Sequence, residues 1–428
     1  LMNKYPFKEV GASVYAWDMH DESVEAVLDN LEGMAHVNSV YLVALMHEER
    51  HPWPENTDFL HNPARKEYMT EDSVAYWHVD AHNYGRIVPA EPRNFLKGTD
   101  WLALLVKEAR QRNMKVGMEF SHTLIDGKRL EHELADVCQI DIFGKPLTVT
   151  HIGENHRVPC MNHPDFREYA KNLYTDVVTN YDIDYVLNCI MPYPSPATYL
   201  LAEYDREHQP LTRIVASILT SGCFCPSCQA RAKAMGFNLE AIRRSLLVLV
   251  EEDRQEPGFD KTNMSLMELL MKYPDIQKWF QFKCASVASF HREISECVHK
   301  IRPGIDNRLN MYVTSHPEYA GFWGKALAPA FDSVRICCYT ENLGIKDAAE
   351  KKRRVIRSVQ KSFGKDMELI SAIGVLPGAT PDSIRDGLQV SSECGVSSIA
   401  LGHYDGASFD MLKTVGAYVG NIWKHDEN

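Results

Sequence analysis

Three cysteines fall close together in Gly222-Cys223-Phe224-Cys225-Pro226-Ser227-Cys228. Thiolates at C-x-C-x-x-C spacing can point at one centre through a tight turn, and a soft tetrahedral metal site asks for four ligands. Cys160 and Cys189 are the two candidates for the fourth. A zinc ion held by four protein ligands is closed to substrate, so its role would be structural, pinning this segment to the rest of the fold.

A second group of residues could do chemistry at the ends of apolar runs. Asp18 closes the first such run, and Glu48 follows the second in His47-Glu48-Glu49-Arg50. Glu119 ends the third in Glu119-Phe120-Ser121-His122, Glu341 follows Tyr339-Thr340, and Asp405 closes His403-Tyr404-Asp405. Cleaving a glycosidic bond needs a protonated carboxyl beside the leaving oxygen and a carboxylate opposite it. Glu119 stands between Met118 and Phe120, so it either faces a polar mouth or is a costly buried charge. Glu341 could instead cap a helix, and Glu48 could form an exposed ion pair with Arg50. His122, His316 and His403, with Glu119 or Asp405, are the ligand types of a second, catalytic divalent metal. A lone histidine near a strand end is more often just a hydrogen-bonded ring. Asn188, Tyr312, Arg335, Tyr339 and His403 suit sugar hydroxyls or a uronate carboxylate.

These residues can act together only if the chain brings its strand ends to one place. Strand-like runs are expected at Val10–Trp17, Ser39–Met46, Lys115–Phe120, Tyr185–Met191, Arg308–Val313, Ser333–Tyr339, Glu368–Ile373 and Ser397–Leu401. Helical runs lie between them, with Pro164 near one helix start, where proline is favoured. Eight short apolar strands, nearly all followed by a helix, predict a single (β/α)8 barrel over 1–428. An open doubly wound sheet would show a glycine-rich turn after its first strand. Tyr15-Ala16-Trp17-Asp18-Met19-His20 has no glycine. Long insertions at 49–98, 125–162 and 194–275 follow strands, on the side where barrel enzymes build their sites. The first carries His51, Trp53, His61, Tyr68, Tyr76, Trp77, His78, His82 and Tyr84. These are either a platform for sugar rings, a local core, or the interface of a homo-oligomer.

Composition narrows the partners. The 428 residues are 45% hydrophobic and 24% charged, the balance of a folded globular chain. A net charge of −12 argues against nucleic acid, which needs a positive surface field. The most apolar stretch, Leu246 to Val250, is far shorter than the roughly 20 residues that cross a bilayer. The opening Leu1-Met2-Asn3-Lys4-Tyr5-Pro6 lacks the pattern of a signal peptide, so a cytoplasmic protein is expected, a mature secreted chain being the alternative. Eleven cysteines, mostly in apolar runs, fit buried thiols better than a disulfide framework.

The segment Arg157-Val158-Pro159-Cys160-Met161-Asn162-His163-Pro164-Asp165-Phe166-Arg167 resembles the stretch before the fourth strand of glycoside hydrolase family 42 β-galactosidases. Hypothetical glycosyl hydrolases of the same barrel clan are similar too, through the cysteine cluster and the following Gly236, and through Tyr181-Asp182-Ile183-Asp184-Tyr185-Val186. The likeness covers about residues 100–236. It implies that Cys160, Cys223, Cys225 and Cys228 hold the zinc and that Cys189 does not. The pattern then breaks. Where the family has Asn-Glu at the end of strand four, with the glutamate as general acid, this chain has Asn188-Cys189. Its seventh strand, Leu369 to Val375, carries no carboxylate for a nucleophile. A standard retaining β-galactosidase is therefore not expected. The expected function is a glycoside hydrolase-like enzyme with Glu119 as its main carboxyl and Glu341 or Asp405 as partner. Asp18, Glu48, His122, Asn188, Tyr312, His316, Arg335, Tyr339 and His403 would contact substrate. The alternatives are a metal-dependent sugar lyase, isomerase or epimerase, and a carbohydrate-binding barrel without catalysis.

Overall fold

The computed structural model describes residues 7–48, 50–51, 68–151, 154–190, 193, 215, 222–255, 265–312 and 317–424. Eight parallel strands close into a barrel: β1 (Glu9–Val14), β2 (Ser39–Ala44), β3 (Lys115–His122), β4 (Tyr185–Ile190), β5 (Asp306–Tyr312), β6 (Ser333–Cys337), β7 (Glu368–Gly374) and β8 (Ser398–Gly402). β8 pairs with β1 to complete the ring. The predicted (β/α)8 architecture is the observed one. Helices such as Val24–Ala35, Trp101–Gln111, Pro164–Asn180, Pro274–Ile301, Ala348–Phe363, Pro381–Glu393 and Phe409–Lys424 form the outer layer. Each presents an apolar stripe to strands that are buried on both faces.

Local chemistry sets the helix starts. Pro164, Pro274 and Pro381 each sit in a first turn, where the missing N–H costs nothing. Thr380 and Ser383 satisfy each other's backbone donors as a capping box. The first strand departs from expectation. It stops at Val14, and Ala16–Glu22 is a helix. Asp18 is therefore not a strand-end group facing the mouth. It lies in the first helical turn, accepts the Tyr15 N–H at 2.9 Å and is fully buried.

The aromatic insertion packs inward as far as it is described. Tyr76 and Trp77 are buried, the Trp77 ring stands edge-on to Phe120, and its indole N–H donates to Asp176 at 3.0 Å. Tyr84 donates to the same carboxylate at 2.9 Å. These rings are core and not an open platform. Trp53 and His61 lie outside the described residues, as do the side chains of His51 and Tyr68. No helix among the described residues is long and apolar enough to cross a membrane.

Candidate active site

Because side chains alternate along a strand, one register parity fills the barrel. Glu9, Ser39, Lys115, Tyr185 and Arg308 make a floor at the N-terminal end. Arg308 on β5 reaches Glu9 on β1, on the far side of the barrel, through two bonds of 2.6 and 3.1 Å. Lys115 adds a third at 3.0 Å. Burial alone would raise the Glu9 carboxyl, yet Arg308 and Lys115 prevail and hold it at about 2. Tyr185 lies across this layer beneath the Arg308 guanidinium and bonds Ser39 at 2.9 Å. Only glycine at 117 leaves it room, since a Cβ there would come within 2.2 Å of the ring.

The next inward layer, nearer the strand ends, holds Ser13, Tyr41, Glu119, Cys189, Asn310 and Arg335. Glu119 is buried, and the Ser121 hydroxyl donates to its Oε1 at 2.6 Å. Burial pushes its carboxyl up. The charge of Arg335 and the hydrogen bonds from Ser121 and Cys189 pull the other way without cancelling it. Arg335 donates to Asn310 Oδ1 at 2.7 Å and to the Tyr339 hydroxyl at 2.6 Å. Asn310 in turn donates to Cys189 Sγ at 3.0 Å. Above them His403 Nδ1 lies 2.9 Å from Ser13 Oγ and 3.0 Å from the Tyr15 hydroxyl. Tyr15 stacks on Trp17, whose N–H reaches Asp405 at 3.4 Å. Tyr339 passes so close to β8 that a Cβ on Gly402 would meet its hydroxyl at 2.3 Å.

Glu119, Arg335, Tyr339, His403 and Asp405 are thus expected residues that line or back one mouth. Others are not. Asn188 has the outward parity. It accepts from Tyr174 and donates to Asn307 and to the Arg308 carbonyl, tying the barrel to its helices, so it cannot meet substrate there. Glu341 is wholly buried against Lys352 of the Ala348–Phe363 helix, 2.6 Å away, and accepts the Gly374 N–H at 2.9 Å. It is a strut behind the barrel wall, not the carboxylate opposite Glu119. Glu48 lines a separate cavity of about 420 Å³ together with Asp72, Arg93, Asp126 and Arg129. His122 faces His47, the two rings stacked and bonded Nδ1 to Nδ1. His122 and His403 have different partners among the described residues, and His316 lies outside them, as does the Tyr312 side chain.

Ser13, Tyr15, Tyr41, Cys189 and Asn310 belong to the mouth and were not expected there. Strand parity counted from Glu119 and Arg335 was the signal that could have found most of them. Cys189 occupies the position of the general-acid glutamate in the resembled family and is one of the nearest neighbours of Glu119.

The four cysteines form the second centre. Cys160, Cys223, Cys225 and Cys228 are buried, and their sulfurs all lie within 4.8 Å of one another, Cys160 being 3.4 Å from Cys228 and 3.5 Å from Cys225. A tetrahedral zinc with Zn–S of about 2.3 Å needs sulfurs roughly 3.8 Å apart, so the set fits. Backbone N–H groups of Ile140, Cys225 and Cys228 and the Asn162 amide point at these sulfurs, as donors around thiolates do. This is the only convergence of three or more potential ligands among the described residues. It joins the segment before helix Pro164–Asn180 to the start of helix Pro226–Ala234.

No family model matches the chain, and no curated protein sequence does. Similarity appears among solved structures. The glycoside hydrolase domain of PgaB from Bordetella bronchiseptica superimposes with a TM-score of 0.57 at 14% identity, over 97% of this chain and 99% of that one. α-L-Fucosidase isoenzyme 2 from Paenibacillus thiaminolyticus gives 0.55 at 13% identity, over 98% of this chain and 50% of that one. A GH42 β-galactosidase from G. stearothermophilus gives 0.57 at 12%, over 100% and 57%. The chain thus spans only about half the length of some of these proteins. At such identities the shared property is the fold, the closed eight-stranded parallel barrel.

Proposed function

We propose that the chain is a glycoside hydrolase-like enzyme, acting on a glycoside or oligosaccharide at the C-terminal mouth of its barrel, with Glu119 as general acid. The observation that carries this reading is a buried carboxyl inside the mouth whose environment favours its protonated form. A glycosidic oxygen is a poor leaving group until it receives a proton, and a carboxyl that keeps its proton above the ordinary carboxylate range can deliver one. Among the described strand-end residues, Asp405, which the Trp17 indole N–H reaches at 3.4 Å, is the carboxylate we assign to the opposing role. Arg335, Tyr339 and His403 offer donors to the sugar. The four cysteines hold a structural zinc ion that fixes the rim and takes no part in the reaction.

Turnover on a broad panel of aryl glycosides and oligosaccharides is the test. Glu119→Gln is expected to lower kcat by about 10²- to 10⁴-fold with an unchanged melting temperature. An unchanged kcat removes Glu119 from the mechanism. Sugar binding with no turnover on any member would mark a non-catalytic carbohydrate-binding barrel instead.

A further inference from the structure

Three arginines are buried among the described residues: Arg167, Arg308 and Arg335. Arg308 has Glu9 at 2.6 Å and Arg167 has Glu293 at 2.7 Å. Arg335, only 3% exposed, has no carboxylate within ion-pair reach among the described residues. Its hydrogen-bond partners include the neutral Asn310 amide, the Tyr339 phenol and the Cys337 thiol, and its Nε–H has none among the described residues. A guanidinium taken out of water without a counter-ion is costly, and folds normally neutralise it. Here the cost is carried inside the mouth, one layer below Cys337, Tyr339 and His403, which are partly open to solvent.

The geometry also says how an anion would be held. The unpartnered Nε–H lies on the same edge of the guanidinium as Nη2, the edge that grips a carboxylate with two parallel bonds. Tyr339 accepts from Nη2 and lies against the Cys337 thiol, so its hydroxyl can turn its proton either to that sulfur or to an anion. Glu119 lies near enough to feel the Arg335 charge, but no ion pair or hydrogen bond joins them among the described residues, and Ser121 and Cys189 bond its carboxyl.

We infer that the substrate is a carboxylated sugar, such as a uronide, whose carboxylate docks on the Nε–Nη2 edge of Arg335 beside the Tyr339 hydroxyl. This rests on the mouth being the substrate site, as in the reading above. It supplies a directly bonded counter-ion and places a uronide ring next to Glu119.

The test is calorimetric titration of the full chain with paired ligands: methyl α- and β-glucuronides and galacturonides against the matching neutral glucosides and galactosides. At least one uronide is expected to bind tenfold or more tighter than its parent. Arg335→Met should erase that difference while leaving the melting temperature unchanged or higher, because it removes a buried charge that has no directly bonded counter-ion. If Arg335→Met does not fold, Arg335→Lys and Tyr339→Phe should each narrow the preference. No uronide preference in the unaltered protein, or a preference that survives these substitutions, overturns the inference. The two readings fail separately. Turnover of neutral glycosides without uronide preference refutes the role of Arg335 alone, whereas uronide binding with no turnover refutes the role of Glu119 alone.

Discussion

Glu119 illustrates how a residue acquires a role from its surroundings. Its carboxyl is raised by burial, so the proton stays on at pH values where an exposed glutamate has lost it. Activity that needs this proton falls as pH rises through the raised value, which puts the alkaline limb of the kcat profile above the ordinary carboxylate range. Ser121 donates to the ionised form and so holds the value down. Ser121→Ala should move that alkaline limb to higher pH, and a limb that stays in place or moves down would separate Ser121 from the acid. Glu9 is the opposite case. Its folded carboxyl is held at about 2 against an ordinary 4.5, so the stability it contributes is present above pH 4.5 and is lost as pH falls toward 2. The size is about 3 kcal/mol at neutral pH. Urea unfolding of Glu9→Gln from pH 2 to 7 should show a flatter acid limb and a neutral-pH loss of about 3 kcal/mol, Arg308 keeping Asp306 at 2.7 Å. An acid limb as steep as that of the unaltered chain would show that other carboxylates govern it. At this scale the sequence told less than it held. Residue type and strand-end position picked out Glu119 and Arg335, but only parity separates them from Asn188, which has the right chemistry on the wrong side of β4.

Among the elements, the cysteine cluster was the most legible feature, because thiols at that spacing have few other uses. Resemblance, not spacing, chose Cys160 over Cys189, and the structure brings Cys160 to the cluster and puts Cys189 in the barrel. The cluster is expected to carry one equivalent of zinc. Replacing Cys223 and Cys225 by serine should release it and expose Pro226–Ala234 to limited proteolysis while the barrel helices stay protected. Full zinc content in that variant would move the ion elsewhere. Glu341 was misread for a reason that belongs to this scale. Nothing near it in sequence shows that the following helix delivers Lys352 to it, 2.6 Å away. Likewise the helix Ala16–Glu22 begins so soon after β1 that an apolar run of strand-like residues continues straight into it.

For the molecule as a whole, closure of β8 onto β1 makes a site from residues hundreds of positions apart, as when Ser13 meets His403. The barrel was readable from eight apolar strands with helices between them. The chemistry of its mouth was less so, because the two glutamate positions of the resembled β-galactosidases hold no carboxylate here, and in the proposed reading the proton comes from another strand. That substitution is the central claim, and leaving-group dependence tests it most directly. If Glu119 supplies the proton, Glu119→Gln should cost about 10³-fold on a substrate with an alkyl or sugar leaving group. It should cost less than about tenfold on the matching dinitrophenyl glycoside, whose leaving group departs without protonation. Equal losses on both substrates would contradict the account.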